Sequence, residues 1–182
     1  MKCFHRDNLL FSLCGLNCGL CPMHLNKYCP GCGGGEGNQS CKIAKCSLEH
    51  KRVEYCFQCS EYPCEKYKHI DDFDSFITHR NQKADLKKAK EMGIEAYNAE
   101  QVDKIEILNF LLANYNDGRK KNFFCVAVNL LKLQEINGIL MQIESNPELE
   151  KFTFKEKSSY VAGVFQNTAK QKNIELKLRK KK

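Results

Sequence analysis

No apolar run in this 182-residue chain approaches the roughly 18 residues that cross a bilayer, so no segment reads as a membrane span. No export signal is legible either. The stretch LLFSL before Cys14 is too short for a secretory core and has Asp7 close by. Leu13 stands where a lipoprotein anchor at Cys14 would need a small residue. A reducing, cytoplasmic setting is therefore expected, and it argues against a disulfide scaffold. Nucleotide loops are missing too. Gly31, Gly33, Gly34, Gly35 and Gly37 sit close together, but no Gly-Lys-Ser/Thr follows and no G-x-G-x-x-G register fits. No histidine is grouped with a nucleophile and a carboxylate, so the reading leans away from an enzyme. Beyond paired cysteines there is no internal repeat and no long low-complexity linker.

Cysteine is what the chain has in excess. Ten of its twelve cysteines lie between residues 14 and 64. They read Cys14-x3-Cys18-x2-Cys21-x7-Cys29-x2-Cys32-x8-Cys41-x4-Cys46-x9-Cys56-x2-Cys59-x4-Cys64. Three gaps are C-x2-C, a spacing that lets two sulfurs on one tight turn face one ion. Twelve cysteines in a reducing compartment need another occupation, and metal is the usual one. Glycines beside such cysteines let the backbone turn its N–H groups toward the sulfurs.

Zinc asks least of the surroundings: four thiolates, or three and a histidine, in a tetrahedron. About two ions are expected. One would draw on Cys14, Cys18, Cys21, Cys29 and Cys32, the other on Cys41, Cys46, Cys56, Cys59 and Cys64. A three-site partition would add two histidines such as His24 and His50. The alternative cofactor is an iron–sulfur cluster, because Cys14-x3-Cys18-x2-Cys21 has the spacing of radical-SAM clusters and Pro22 follows. The remainder of the chain lacks the alternating strands and helices of that barrel. Cys3 and His5 lie outside the block and carry no expectation. Cys125, among Phe and Val, reads as a small core residue.

The strings "CGLNCGLCP", "CPGCGGG", "CKIAKC", "YCFQC" and "EYPCEKY" resemble the bacterial and archaeal cysteine-rich domain of unknown function 3795 over about residues 12–70. That resemblance implies a metal-binding module with the ten cysteines as ligands, usually presumed to hold zinc. It implies no established activity.

The fold expected is mainly α: a small irregular cysteine-rich zinc module over 1–70, then an all-α region over 71–182. The module has few apolar residues apart from its cysteines, so metal has to supply stability, on the scale of roughly 10–16 kcal/mol. Asp71, Asp72 and Asp74 are read as capping a helix from about Ser75 to Met92, ended by Gly93. Asn98 and Gln101 suggest a capping box for the next helix, with Ile105, Leu108, Leu112 and Tyr115 on one face and Ile107, Phe110 and Leu111 widening it. Residues 122–145 read as two helices or one bent one. A last helix covers about 158–172, and 174–178 alternates like a short strand beside Phe152–Phe154.

The net charge is +7, unevenly spread. Residues 1–64 carry seven Lys/Arg against five Asp/Glu, residues 65–150 twelve against fifteen, and residues 151–182 ten against two. Two four-thiolate zinc sites add eight negative and four positive charges, leaving about +3. The surplus is the tail: Lys177, Arg179, Lys180, Lys181 and Lys182. A structural metal module implies a macromolecular partner. A protein is slightly favoured, with RNA contact through the tail as the rival. Tyr55, Phe57 and Tyr62 are read as module core rather than base-stacking groups.

Overall fold

The computed structural model describes residues 3–35 and 41–181; Gly37 and Lys182 lie outside the described residues. Seven α-helices are present among the described residues: α1 Pro22–Leu25, α2 Lys42–Glu49, α3 Gln82–Met92, α4 Ile94–Tyr115, α5 Lys121–Leu130, α6 Leu133–Glu144 and α7 Phe154–Gln171. Short 3-10 turns fall at Cys18–Leu20, Cys56–Gln58, Glu65–Tyr67 and Pro147–Lys151. There is no strand among the described residues. The mainly α expectation holds, with an irregular cysteine-rich beginning. No helix is long and apolar enough to cross a membrane among the described residues.

Two compact units divide the chain: Met1–Gln101 with Leu178–Lys182, and Val102–Lys177. The first is built on a core of Phe4, Phe11, Leu13, Ala44, Tyr55, Cys56, Tyr67, Leu86, Ala89 and Tyr97. Its rings stack in series. Phe11 lies 4.6 Å from Tyr97 and 5.6 Å from Tyr55, and Tyr55 is 5.4 Å from Phe57, so these aromatics are core as expected. Compact packing thus runs past residue 70 to take in α3 and the first turns of α4. The Tyr97 hydroxyl donates to Asn17 (3.0 Å) and Asn17 donates to Asp85 (2.9 Å), tying both helices to the cysteine loop.

Gly15 explains how closely α3 approaches. Its φ is +97°, and a Cβ there would lie 2.4 Å from the Gln82 carbonyl oxygen and 2.7 Å from Leu86 Cγ. Only glycine allows that contact. Gln82 in turn donates to the Cys14 carbonyl at 3.0 Å.

Two helix starts differ from expectation. α3 begins at Gln82, not Ser75, because Asp74 is spent elsewhere. Its carboxylate accepts the His79 N–H (2.8 Å) and the Arg179 N–H (2.7 Å), folding 74–80 into a tight turn. Phe76 is left 65% exposed while Ile77 is buried. α4 begins at Ile94, directly after Gly93 at φ +88°. Asn98 therefore lies inside the helix, accepting from Asn8 at 2.9 Å rather than capping.

The second unit is helical. The buried stripe of α4 here is Lys104, Leu108 and Leu111, while Phe110 is exposed, so the helix buries one side and not two. Lys104 satisfies its charge on the Leu131 carbonyl at 2.7 Å. Residues 122–145 are two helices, broken at Leu131–Lys132, where Glu135 accepts the Lys132 N–H at 2.9 Å. Cys125 is buried in α5. α7 starts at Phe154, earlier than expected, behind a Thr153 and Glu156 capping box. That helix start removes one partner of the expected strand pair, and 174–178 stays irregular.

The C-terminal segment instead returns to the first unit. Asp74 N–H donates to the Arg179 carbonyl (2.9 Å) while Arg179 N–H donates back to the Asp74 carboxylate. The Arg179 guanidinium also reaches Asp74 (3.2 Å) and the Asp71 carbonyl. Burial opposes ionisation of Asp74, but the Arg179 and His79 N–H groups and the guanidinium outweigh it, and its pKa falls below the ordinary 3.8. A lowered carboxylate pKa contributes stability that is complete above the ordinary value and lost as pH falls through the folded one. Asp74→Asn is expected to release the segment at neutral pH as acid does in the wild type, at a cost of about 1.5–3 kcal/mol. Amide exchange at Arg179 checks this; unchanged protection in the variant counts against it.

Candidate metal centres

All twelve cysteines are free thiols, so no disulfide framework exists. The chain path sorts the ten block cysteines by packing. Cys14 and Cys32 each lie within electrostatic reach of Cys41 and of Cys18, and Cys18 is also within reach of Cys21. Cys46, Cys56, Cys59 and Cys64 line one cavity of about 30 Å³ with His50, Tyr62, Lys66 and Tyr67. Cys21 and Cys29 face each other at the two ends of the α1 loop, where the Cys29 N–H donates to the Met23 carbonyl (3.1 Å). Cys41 thus sits with the earlier cysteines, not the later ones.

Donors converge on the sulfurs. In the first group the Ser12 hydroxyl lies 3.3 Å from Cys14 Sγ. The Leu16 N–H also reaches Cys14, the Cys32 N–H reaches Cys18, and the Leu13 N–H and Arg6 guanidinium reach Cys32. In the second group the Tyr67 hydroxyl, which donates to the Cys14 carbonyl at 3.3 Å, also lies beside Cys56, and the Lys66 ammonium donates to Cys46. Each donor favours thiolate over thiol. Burial works the other way. It pushes the Cys14 thiol up to about 11, aided by Cys32 and Cys41 and opposed by Ser12. It pushes Cys56 up to about 12 against the Tyr67 hydroxyl, with Cys14, Cys64 and Cys46 adding repulsion. Burial also raises Cys18, then Cys32 and Cys14 raise it further. Without a cation these groups hold their protons.

Arg6 has no local sequence signal, and the sequence reading passed it over. It is buried, donating to the carbonyls of Glu54 (3.1 Å), Asn8 (3.0 Å) and Phe11 (2.9 Å) and pairing with Glu54 at 3.0 Å. Its guanidinium also lies 5.0 Å from the Tyr55 ring centroid. Gly33 makes room for it: φ is +89°, and a Cβ would fall 2.8 Å from Arg6 N and Cγ. Tyr67 likewise joins the groups, lying beside Cys56 and donating to the Cys14 carbonyl (3.3 Å).

The histidines fit ligation less well. His50 Nδ1 donates to the Cys46 carbonyl (2.8 Å), since a carbonyl only accepts, and Nε2 faces Glu61 at 3.2 Å. Those two bonds raise its pKa and engage both nitrogens. His24 Nδ1 donates to the Cys29 carbonyl at 3.1 Å.

The donor set of each group, four soft sulfurs with one cation alongside, is of the kind that four-thiolate zinc sites use. The cavity of the second holds about one water-sized particle, room for an ion and not for an organic substrate. Among the described residues no group of three or more Cys, His, Asp or Glu side chains stands where it could hold a metal ion, so binding would require the sulfurs to move.

No curated protein and no solved structure matches the chain. Residues 10–69, which hold both groups of thiols, match the family model described as "Protein of unknown function (DUF3795)", and over that stretch the chain resembles that family.

Proposed function

We propose that residues 10–69 form a structural zinc module with two four-thiolate sites. Cys14, Cys18, Cys32 and Cys41 would hold one ion, and Cys46, Cys56, Cys59 and Cys64 the other. One observation carries this reading. Backbone N–H groups, the Ser12 hydroxyl and the Arg6 guanidinium approach the sulfurs of the first group, and the Tyr67 hydroxyl and Lys66 ammonium approach those of the second, an arrangement that favours thiolates over thiols. Four thiolates and a dication leave a net charge of −2 at each site, and Arg6 and Lys66 each offset part of it. Zinc bound there would crosslink segments that an apolar core of this size cannot hold alone. Arg6 and Tyr67 orient the sulfurs; neither is a ligand. Cys21 and Cys29 stand outside both sets.

About two zinc ions per chain are expected after anaerobic expression and gel filtration. Elemental analysis and an optical spectrum test it. Stoichiometric iron with acid-labile sulfide and visible absorbance would overturn it in favour of a cluster at Cys14, Cys18 and Cys21. Zinc retained near two per chain in Cys21→Ser/Cys29→Ser, but reduced to one in Cys41→Ser, is the result expected of this partition.

A further inference from the structure

We propose that the docked C-terminal strap and the loop beneath it form a binding platform for single-stranded nucleic acid. Phe76 is 65% exposed and Phe73 40%, three residues apart on the Asp71–His79 turn. Large rings so exposed are not serving the core. The backbone of the turn is held by the Asp74 bonds to His79 and Arg179. The strap brings a cation to Phe73. Lys181 Nζ lies 5.5 Å from the Phe73 ring centroid, and Lys180 and Lys181 are exposed.

The charge pattern selects an anion. Arg179 neutralises buried Asp74, and Lys83 neutralises Asp71 at 2.6 Å. Asp72 is turned to His69 at 2.9 Å. Lys180 and Lys181 are the strap's exposed cations, and Lys181 stands at the Phe73 ring. The exposed Phe76 ring, with the strap's ammonium groups in the same unit, suits a flexible strand whose bases stack while its phosphates meet the lysines. A duplex buries its base faces and offers nothing to Phe76. Docking also changes the role of the basic tail: Arg179 anchors it, so the lysines act from a fixed position and not as a loose arm.

The test is fluorescence anisotropy of the zinc-loaded full chain with a labelled oligo-uridine of about ten nucleotides, across a salt series. Phe76→Ala is expected to weaken binding roughly 5- to 100-fold, the range for loss of one base stack, with Phe76→Tyr restoring it. Lys180→Ala/Lys181→Ala should lower the salt slope by about 1.4, for two phosphate contacts on a single strand. Arg179→Ala should weaken binding although it need not touch the strand. Metal content and circular dichroism of each variant confirm that folding is intact; Phe76, being exposed, leaves the core unchanged. No binding in low salt, binding indifferent to Phe76→Ala, or heparin matching the oligonucleotide in affinity would each overturn the proposal.

Discussion

On the proposed two-site reading, Cys59→Ser is expected to cost the protein one zinc ion and, with it, the order of the unit built on Met1–Gln101. Cys59 lines the cavity but is only half-buried, so the loss has to come through the metal and not through the apolar core. The expected destabilisation is several kcal/mol of the roughly 10–16 kcal/mol that structural zinc contributes. The damage should travel. Cys56 sits beside Cys59 in the second group and also packs in the core with Leu86, Ala89 and Tyr97. Releasing it should expose α3 and the start of α4 to amide exchange. Helices α5, α6 and α7 bury their own faces through Phe124, Ile136 and Phe165, and should keep their protection. Exchange mapped by mass spectrometry, with zinc counted in parallel, decides the point. A variant that keeps two zinc ions and its melting temperature contradicts the site; loss of protection throughout α5–α7 contradicts the independence of that unit.

Gly15→Ala should act as strongly by a different route. The new Cβ meets the Gln82 carbonyl at 2.4 Å, and a backbone oxygen has no rotamer in which to escape. To the forced conformation at φ +97°, about 1–2 kcal/mol, is added overpacking of about 1–3 kcal/mol. Together these take a large share of a typical domain's 5–15 kcal/mol. Relief requires α3 to move away or Cys14 to shift. The second movement disturbs the Ser12 contact at Cys14 Sγ and the first group of thiols. Gly93→Ala is the control, since its φ is +88° but a Cβ there meets nothing within 4 Å. It should show the conformational cost alone. Urea titrations of the two variants, with zinc content, separate the terms; equal midpoints would show that the approach of α3 to Gly15 contributes nothing.

Much of the helical unit was legible along the chain because its signals are local. Periodic apolar residues mark α5 and α6, and the helix class of the whole follows from them. The clustering of ten cysteines and their C-x2-C gaps were equally plain, as was Cys125 as a core residue. Boundaries were less so. Three aspartates before Phe76 look like a helix cap because capping needs only nearby N–H groups. Asp74 found a better partner in Arg179, 105 residues away, and no local pattern announces that.

The sequence by itself determined the chemistry available: sulfur in excess, a basic end, helices with one apolar stripe. Tertiary structure alone decided how that chemistry is sorted. Cys41 lies near Cys14 and Cys32, a proximity that spacing does not announce because it constrains only sulfurs on the same turn. Arg6 reaches Cys32 because Gly33 leaves it room. Phe76 faces solvent because Asp74 binds the strap and delays α3 to Gln82. Each of these outcomes is a contact between distant residues, whose free energy depends on packing geometry that no window of the sequence contains.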